Sequence, residues 1–190
     1  MKSNPLQILE ALDHFLHASF RLCIYGRSAL ALGFVNAPAA YHATMDVDAI
    51  LPARDVQAIE TNEDFWTAQE RVNEQLGDTG LYFTHLFEDR QVILTPNWIE
   101  NIVPISGPPF RHLLLSRPST VDLILTKMMR VDPQDREDIE FLLQQSEVTP
   151  MLVHDAMRQA AVPDVAEIAE GFSINRAWLL ERLPAIERKM

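Results

Sequence analysis

A single cysteine, Cys23, occurs in 190 residues, so no internal disulfide can staple the chain. It lies inside an apolar run, where a lone thiol reads as a small core residue rather than a nucleophile. No apolar stretch approaches the roughly 20 residues that a membrane-spanning helix needs, so no membrane partner is expected. Low-complexity tracts are missing too, and the 47% apolar content suits a packed globule. Basic residues are scarce: 16 Lys and Arg stand against 27 Asp and Glu, a formal net charge of −11. With no cluster of Lys and Arg in the sequence, a phosphate backbone would be repelled, which disfavours extended nucleic acid as a partner. A nucleotide bound through metal ions is compatible with that acidity. The first residues, Met1-Lys2-Ser3-Asn4-Pro5, lead into a segment with Glu10, Asp13 and His14. That is unlike a secretory signal, so a cytoplasmic protein is expected.

The length allows one sizeable domain, or one domain with a small helical appendage. Ile8, Leu9, Leu12, Phe15 and Leu16 recur at helical spacing behind Asn4 as the cap and Pro5 in the first turn, which predicts a helix over 4–18. Residues 20–25 read as a buried strand, Gly26-Arg27-Ser28 as a turn into a short helix ending near Gly33, and 45–51 as a second strand stopped by Pro52. Residues 53–76 read as helix, interrupted and capped anew at Thr61-Asn62-Glu63. Short strands are expected over 81–87, 91–94 and 99–105. From residue 118 the pattern is helical, with Pro118, Asp132-Pro133 and Thr149-Pro150 each opening a helix and two short helices after Pro163. The expected class is α+β, a small mixed β-sheet flanked by helices with a helical C-terminal portion. The expected boundary divides a core over 1–116 from helices over 117–190 packed on it.

Chemistry concentrates at Asp46 and Asp48. Alternate residues of a strand leave the same face, so the two carboxylates project together with Cα atoms about 6.5 Å apart. Their neighbours Met45, Val47, Ala49 and Ile50 are apolar, and two like charges in such a strand call for a cation or a hydrogen-bond network. Gly26 permits close backbone approach, a helix starting there offers N–H groups to an anion, and Ser28 can add a hydroxyl. Arg27 either contacts phosphate or points into water. Lys127 and Arg130 share a helix face, and Asp135, on the core side of the next helix, is their natural partner. A third carboxylate for a two-metal site is sought near the 81–87 strand, with Glu88 the first choice ahead of Asp89 and His85. His42, His112 and His154 have no ligand spacing. Trp66 and Trp98 read as core or rim aromatics.

Gly26-Arg27-Ser28-Ala29-Leu30, then Thr44-Met45-Asp46-Val47-Asp48, resembles the polymerase-β-type nucleotidyltransferase superfamily. The likeness is to its small branch of minimal nucleotidyltransferases and abortive-infection toxin-like proteins of toxin–antitoxin systems. Pro96-Asn97-Trp98, Lys127 and Asp135-Arg136-Glu137-Asp138 follow in the order of that branch, so the resemblance spans about residues 20–145. It departs at Arg27, where relatives carry a second glycine or the serine, and at His42 and Ala43, where a basic residue often stands. The resemblance implies Mg²⁺ or Mn²⁺ held by Asp46 and Asp48, and an NTP as substrate. Gly26, Arg27 and Ser28 would hold its β- and γ-phosphates, with Lys127 assisting. A nucleoside monophosphate would pass to an acceptor that the residues do not identify, with Asp46, Asp48 and Glu88 as the catalytic carboxylates. A nucleotide-binding or protein-interaction module on the same fold is the alternative, and a protein partner or homodimer stays open.

Overall fold

The computed structural model describes residues 3–107 and 109–187, with the backbone alone at Thr84, His85 and 184–187. The chain divides into two compact units, one formed by Met1–Glu88 with Ile102–Arg117 and the other by Asp89–Asn101 with Pro118–Met190. The class is α+β, a mixed sheet with helices.

The first unit carries helix α1 (Asn4–Phe15), strand β1 (Phe20–Tyr25), helix α2 (Gly26–Gly33), strand β2 (Asp46–Leu51) and helices α3 (Val56–Glu60) and α4 (Glu63–Leu76). Strands β3 (Tyr82–Glu88), β4 (Val103–Pro104) and β5 (Leu113–Arg117) complete it. The five strands lie in the order β3-β2-β1-β5-β4. The β2–β3 and β1–β5 pairs are parallel, while β1–β2 and β4–β5 are antiparallel. Ser3, not Asn4, occupies the cap position of α1, and the interruption expected near residue 62 is real: Asn62 caps α4 by accepting from the Phe65 N–H at 2.9 Å.

The two faces of this sheet differ. Phe20, Leu22 and Ile24 of β1, Val47, Ala49 and Leu51 of β2, and Leu113 and Leu115 of β5 alternate onto one face and are buried. Phe65 of α4 stacks on Phe20 with ring centroids 4.4 Å apart and meets Phe83 edge-on at 6.0 Å. Gly33 of α2 lies so close to Arg117 that a β-carbon there would fall 2.5 Å from its Cδ, and the Arg117 guanidinium sits 4.2 Å over the Phe34 ring. The opposite face is more open: Arg21 and Leu114 are exposed, and Cys23, Tyr25, Asp46, Asp48 and Ser116 are half-buried. At the β3 edge, Asn73 accepts from the Phe83 N–H at 2.8 Å and donates to its carbonyl at 3.1 Å. Its amide thus satisfies backbone groups that an edge strand leaves open.

Strand β5 has no counterpart in the sequence-based expectation. Its Leu113-Leu114-Leu115 run shows no alternation, although Leu114 is 56% exposed, so periodicity conceals it. Asp13 fixes its start, accepting from the N–H groups of Arg111, His112 and Leu113 at 2.8, 2.7 and 2.8 Å.

The second unit holds α5 (Thr120–Thr126), α6 (Pro133–Leu142), α7 (Pro150–Gln159) and α8 (Ala166–Glu187). Ser119, Asp132 and Thr149 cap the first three through their side chains. Two expectations fail here. The tail is one 22-residue helix rather than two short ones. Its Gly171 meets the 129–130 backbone so closely that a β-carbon would lie 2.5 Å from the Met129 carbonyl oxygen, and the buried Asn175 donates to the Met128 and Arg130 carbonyls. The strands expected at 91–94 and 99–105 reduce to 3₁₀ turns at Asp89–Gln91 and Trp98–Asn101, the two-residue β4 and one bridge from Leu94 to Ala161. Val92, Ile93 and Leu94 are an apolar run because they are buried in this unit, with no ladder required. Asp122 anchors the segment, accepting from the Thr95 N–H at 2.7 Å, the Thr95 hydroxyl at 2.8 Å and the Ser119 hydroxyl at 2.6 Å. Among the described residues no helix is long and apolar enough to cross a membrane.

Burial alone would raise the pKa of Asp13, but its three backbone donors and nearby His112 outweigh that and hold the carboxyl below the usual carboxylate range. A depressed folded pKa gives stability that is present above the unfolded value, near 4, and is lost as pH falls through the folded value. Asp13→Asn is therefore expected to lower the unfolding free energy by about 1–2 kcal/mol at pH 7. Urea titrations at pH 7 and pH 3 check this: the gap between wild type and variant should shrink at pH 3, and an equal gap refutes it.

Candidate functional site

Strand β1 runs straight into α2, and the junction is Gly26 with φ +66°. That left-handed conformation costs other residues about 1–2 kcal/mol, which is why a glycine ends the strand. The cap residue of α2, Tyr25, makes no side-chain cap hydrogen bond, and the N–H groups of a helix's first turn have no partner within the helix itself. Antiparallel pairing sets Tyr25 opposite Asp48, and an added β-carbon on Gly26 would lie 4.0 Å from Asp48 Oδ2. The Asp48 carboxylate therefore stands beside the helix end. Two positions earlier on the same face, Asp46 is held by the Thr44 hydroxyl, which donates to its Oδ1 at 2.9 Å.

This juxtaposition has a chemical consequence. A helix N-terminus favours an anion, yet an anion drawn to Gly26 meets the negative charge of Asp48. A cation between them resolves the conflict, so the site suits a metal–anion complex better than a bare anion. Paired carboxylates are hard oxygen donors, and Mg²⁺ is commonly bound through one or two carboxylates together with substrate phosphates. The donor set fits Mg²⁺ or Mn²⁺ on that basis. Among the described residues no three His, Cys, Asp or Glu side chains form a metal-holding group.

Opposite Asp48 the neighbouring strand is irregular. Between Val47 and Ala49, β2 advances two residues while β3 advances three, from Phe83 to Leu86. One extra residue makes a β-bulge at Thr84-His85, a feature that bends a strand and re-aims its side chains.

The remaining sequence candidates are placed as follows. The Ser28 hydroxyl donates to the Tyr25 carbonyl at 2.9 Å, and the residue is buried, so it closes the strand-to-helix turn. The Arg27 guanidinium lies 5.1 Å over the Tyr41 ring. Glu88 pairs with Leu51, three strand rises or about 10 Å beyond Asp48 and on the opposite face, so the fold does not bring it to the aspartate pair. Asp89 belongs to the second unit, where its carboxylate accepts from the Trp98 indole at 3.3 Å. Trp98 is core and Trp66 is 40% exposed. His85 side-chain placement lies outside the described residues.

Lys127 lies in the second unit, at the C-terminal end of α5. Its Nζ contacts Asp135 Oδ1 at 2.9 Å and Asp138 Oδ2 at 2.7 Å, with all three side chains buried. Arg130 Nε reaches Asp135 Oδ2 at 2.6 Å. The pairing expected of Asp135 is thus made by both cations, and Asp138 joins it. Burial would raise the pKa of Asp135, but the Arg130 hydrogen bond and the Lys127 charge outweigh burial and hold it below the usual range. What sequence reasoning missed at the site is the pairing of Tyr25 with Asp48, and the bulge. An apolar-to-glycine junction hints at the first, while nothing in the local pattern signals the second.

Compared with protein-family models, with curated proteins and with solved structures, the chain matches none. The resemblance read from the sequence therefore rests on its residues alone.

Removing the lysine would leave two buried carboxylates without the ammonium that bridges them. Lys127→Met is expected to cost about 3 kcal/mol of stability, measured by chemical denaturation. An unchanged denaturation midpoint would show that Lys127 is dispensable to the fold.

Proposed function

We propose that the protein is a Mg²⁺-dependent nucleotidyltransferase that takes an NTP as substrate and passes its nucleoside monophosphate to an acceptor hydroxyl. The observation that carries this reading is the Asp48 carboxylate beside the left-handed Gly26 turn that opens α2. Asp46 and Asp48 would hold Mg²⁺ or Mn²⁺, and the first-turn amides of α2 would hold the β- and γ-phosphates. A bound metal supplies neutralisation of the charge that builds on the phosphates during transfer. The chain's own part is positional: Thr44 orients Asp46, and Gly26 admits the phosphates close to Asp48. The acceptor hydroxyl would release its proton to solvent and its oxygen attack the α-phosphorus in line, as the bond from that phosphorus to the β-phosphate oxygen breaks and pyrophosphate leaves. A role in a toxin–antitoxin system rests on the sequence resemblance alone, as does a location in the cytoplasm.

A second reading, a nucleotide-binding or protein-interaction module without turnover, is favoured by two placements. Glu88 faces away from the pair, and Lys127 is taken up by Asp135 and Asp138.

Thermal melts with Mg²⁺ and ATP test the site. A ligand at 100 times its dissociation constant stabilises by about 2.7 kcal/mol, so the wild-type melting temperature should rise and that of Asp46→Ala/Asp48→Ala should not. Equal responses would refute the site. Incubation with labelled NTPs then separates the readings: pyrophosphate release dependent on both aspartates supports transfer, and binding without release supports the module.

A further inference from the structure

Two aromatic rings stand on the same sheet face as the aspartate pair, and neither metal nor phosphate binding uses them. Tyr25 is the direct cross-strand partner of Asp48, and opposed residues of an antiparallel pair project from one face with Cβ atoms about 4.5–5.5 Å apart. Phe87 pairs with Ile50, which alternates onto the face of Asp46 and Asp48. The two rings meet edge to face, with centroids 5.8 Å apart and planes at 85°. Both residues are half-buried and so keep part of their surface open.

Phe87 reaches this face only through the bulge. Continuing the unbroken register from Asp46–Tyr82 and Val47–Phe83 would set Phe87 opposite Leu51, on the helix-covered side. The extra residue moves it one position, and a one-position shift transfers a side chain to the other face. The strand gives up ladder regularity at the point where it passes Asp48, and what it delivers to the open face is an aromatic ring.

We propose that Tyr25 and Phe87 form the aromatic platform for the base of the bound nucleotide, one ring taking its face and the other, at 85° to the first, its edge. Tyr25 is one residue before Gly26, which puts its ring within reach of the base of a nucleotide whose phosphates sit on the α2 end. Aromatic rings accept any base through its π-face. The site's ligand is therefore a nucleoside triphosphate, selected by its base as well as its phosphates, rather than an inorganic polyphosphate or sugar phosphate. This inference rests on the metal–phosphate reading given above.

Calorimetric titration of the full chain in Mg²⁺, with ATP and separately with inorganic tripolyphosphate, tests it through the ratio of the two dissociation constants. Wild type should prefer ATP by about 5- to 150-fold, the range for stacking one base on an aromatic side chain. In Tyr25→Leu and Phe87→Leu the ratio should fall toward one, while Phe87→Tyr, which retains a ring, should keep the preference. A wild-type ratio near one, a ratio unchanged in the leucine variants, or an equal loss in Phe87→Tyr and Phe87→Leu overturns the platform while tripolyphosphate binding leaves the phosphate site standing. Failure of both ligands to bind wild type overturns the metal–phosphate reading and the platform with it.

Discussion

The register between β1 and β2 is the constraint from which the first unit follows. Tyr25 pairs with Asp48, Ile24 with Ala49 and Cys23 with Ile50. A slip of one residue would turn Asp46 and Asp48 into the face filled by Val47 and Ala49, both fully buried. Burying two ionised carboxylates without partners costs several kcal/mol each, whereas the observed register buries two apolar side chains. Burial therefore selects one alignment, and that alignment brings a carboxylate to the helix end at Gly26. Stability and the candidate chemistry depend on the same pairing.

The second unit is organised around buried charge. Lys127, Asp135 and Asp138 are buried together, and the exposed Arg130 guanidinium adds a second positive group at Asp135; such pairing is the condition under which ions persist in a low-dielectric interior. Asp122 works differently, fixing the 89–101 segment by collecting donors from Thr95 and Ser119. Asn175 donates to two carbonyls, Met128 and Arg130, in the turn after α5. Gly171 leaves room for that approach, since its missing β-carbon would collide with backbone rather than with a side chain that could move. Polar groups here define where α8 and the segment sit, against an apolar background that is less directional.

The open face of the first unit's sheet combines elements of different origin. The carboxylates come from alternation within one strand, the turn and Tyr25 from the end of its neighbour, and Phe87 from a bulge in the third. Their coincidence on one face is a product of sheet topology, and it supports reading the face as a ligand site rather than as surface left uncovered.

Local chemistry settles much of this from the sequence. Gly26 marks a turn, Asp46 and Asp48 alternate onto one face, Asn62, Asp132 and Thr149 cap helices, and Asp135 seeks Lys127 and Arg130. Each is decided within a few residues by backbone sterics, strand period or the needs of a helix end. Other features were decided only by tertiary contact. Strand β5 is a leucine run whose pattern appears once β1 lies beside it, and Val92-Ile93-Leu94 looks like a strand yet is buried as an irregular segment. Glu88 is aimed away from the aspartates and Phe87 toward them by one extra residue in β3. Register between distant strands depends on how both pack, so no window of sequence contains it. The residues alone determined which groups could do the chemistry, and the sheet decided which of them meet.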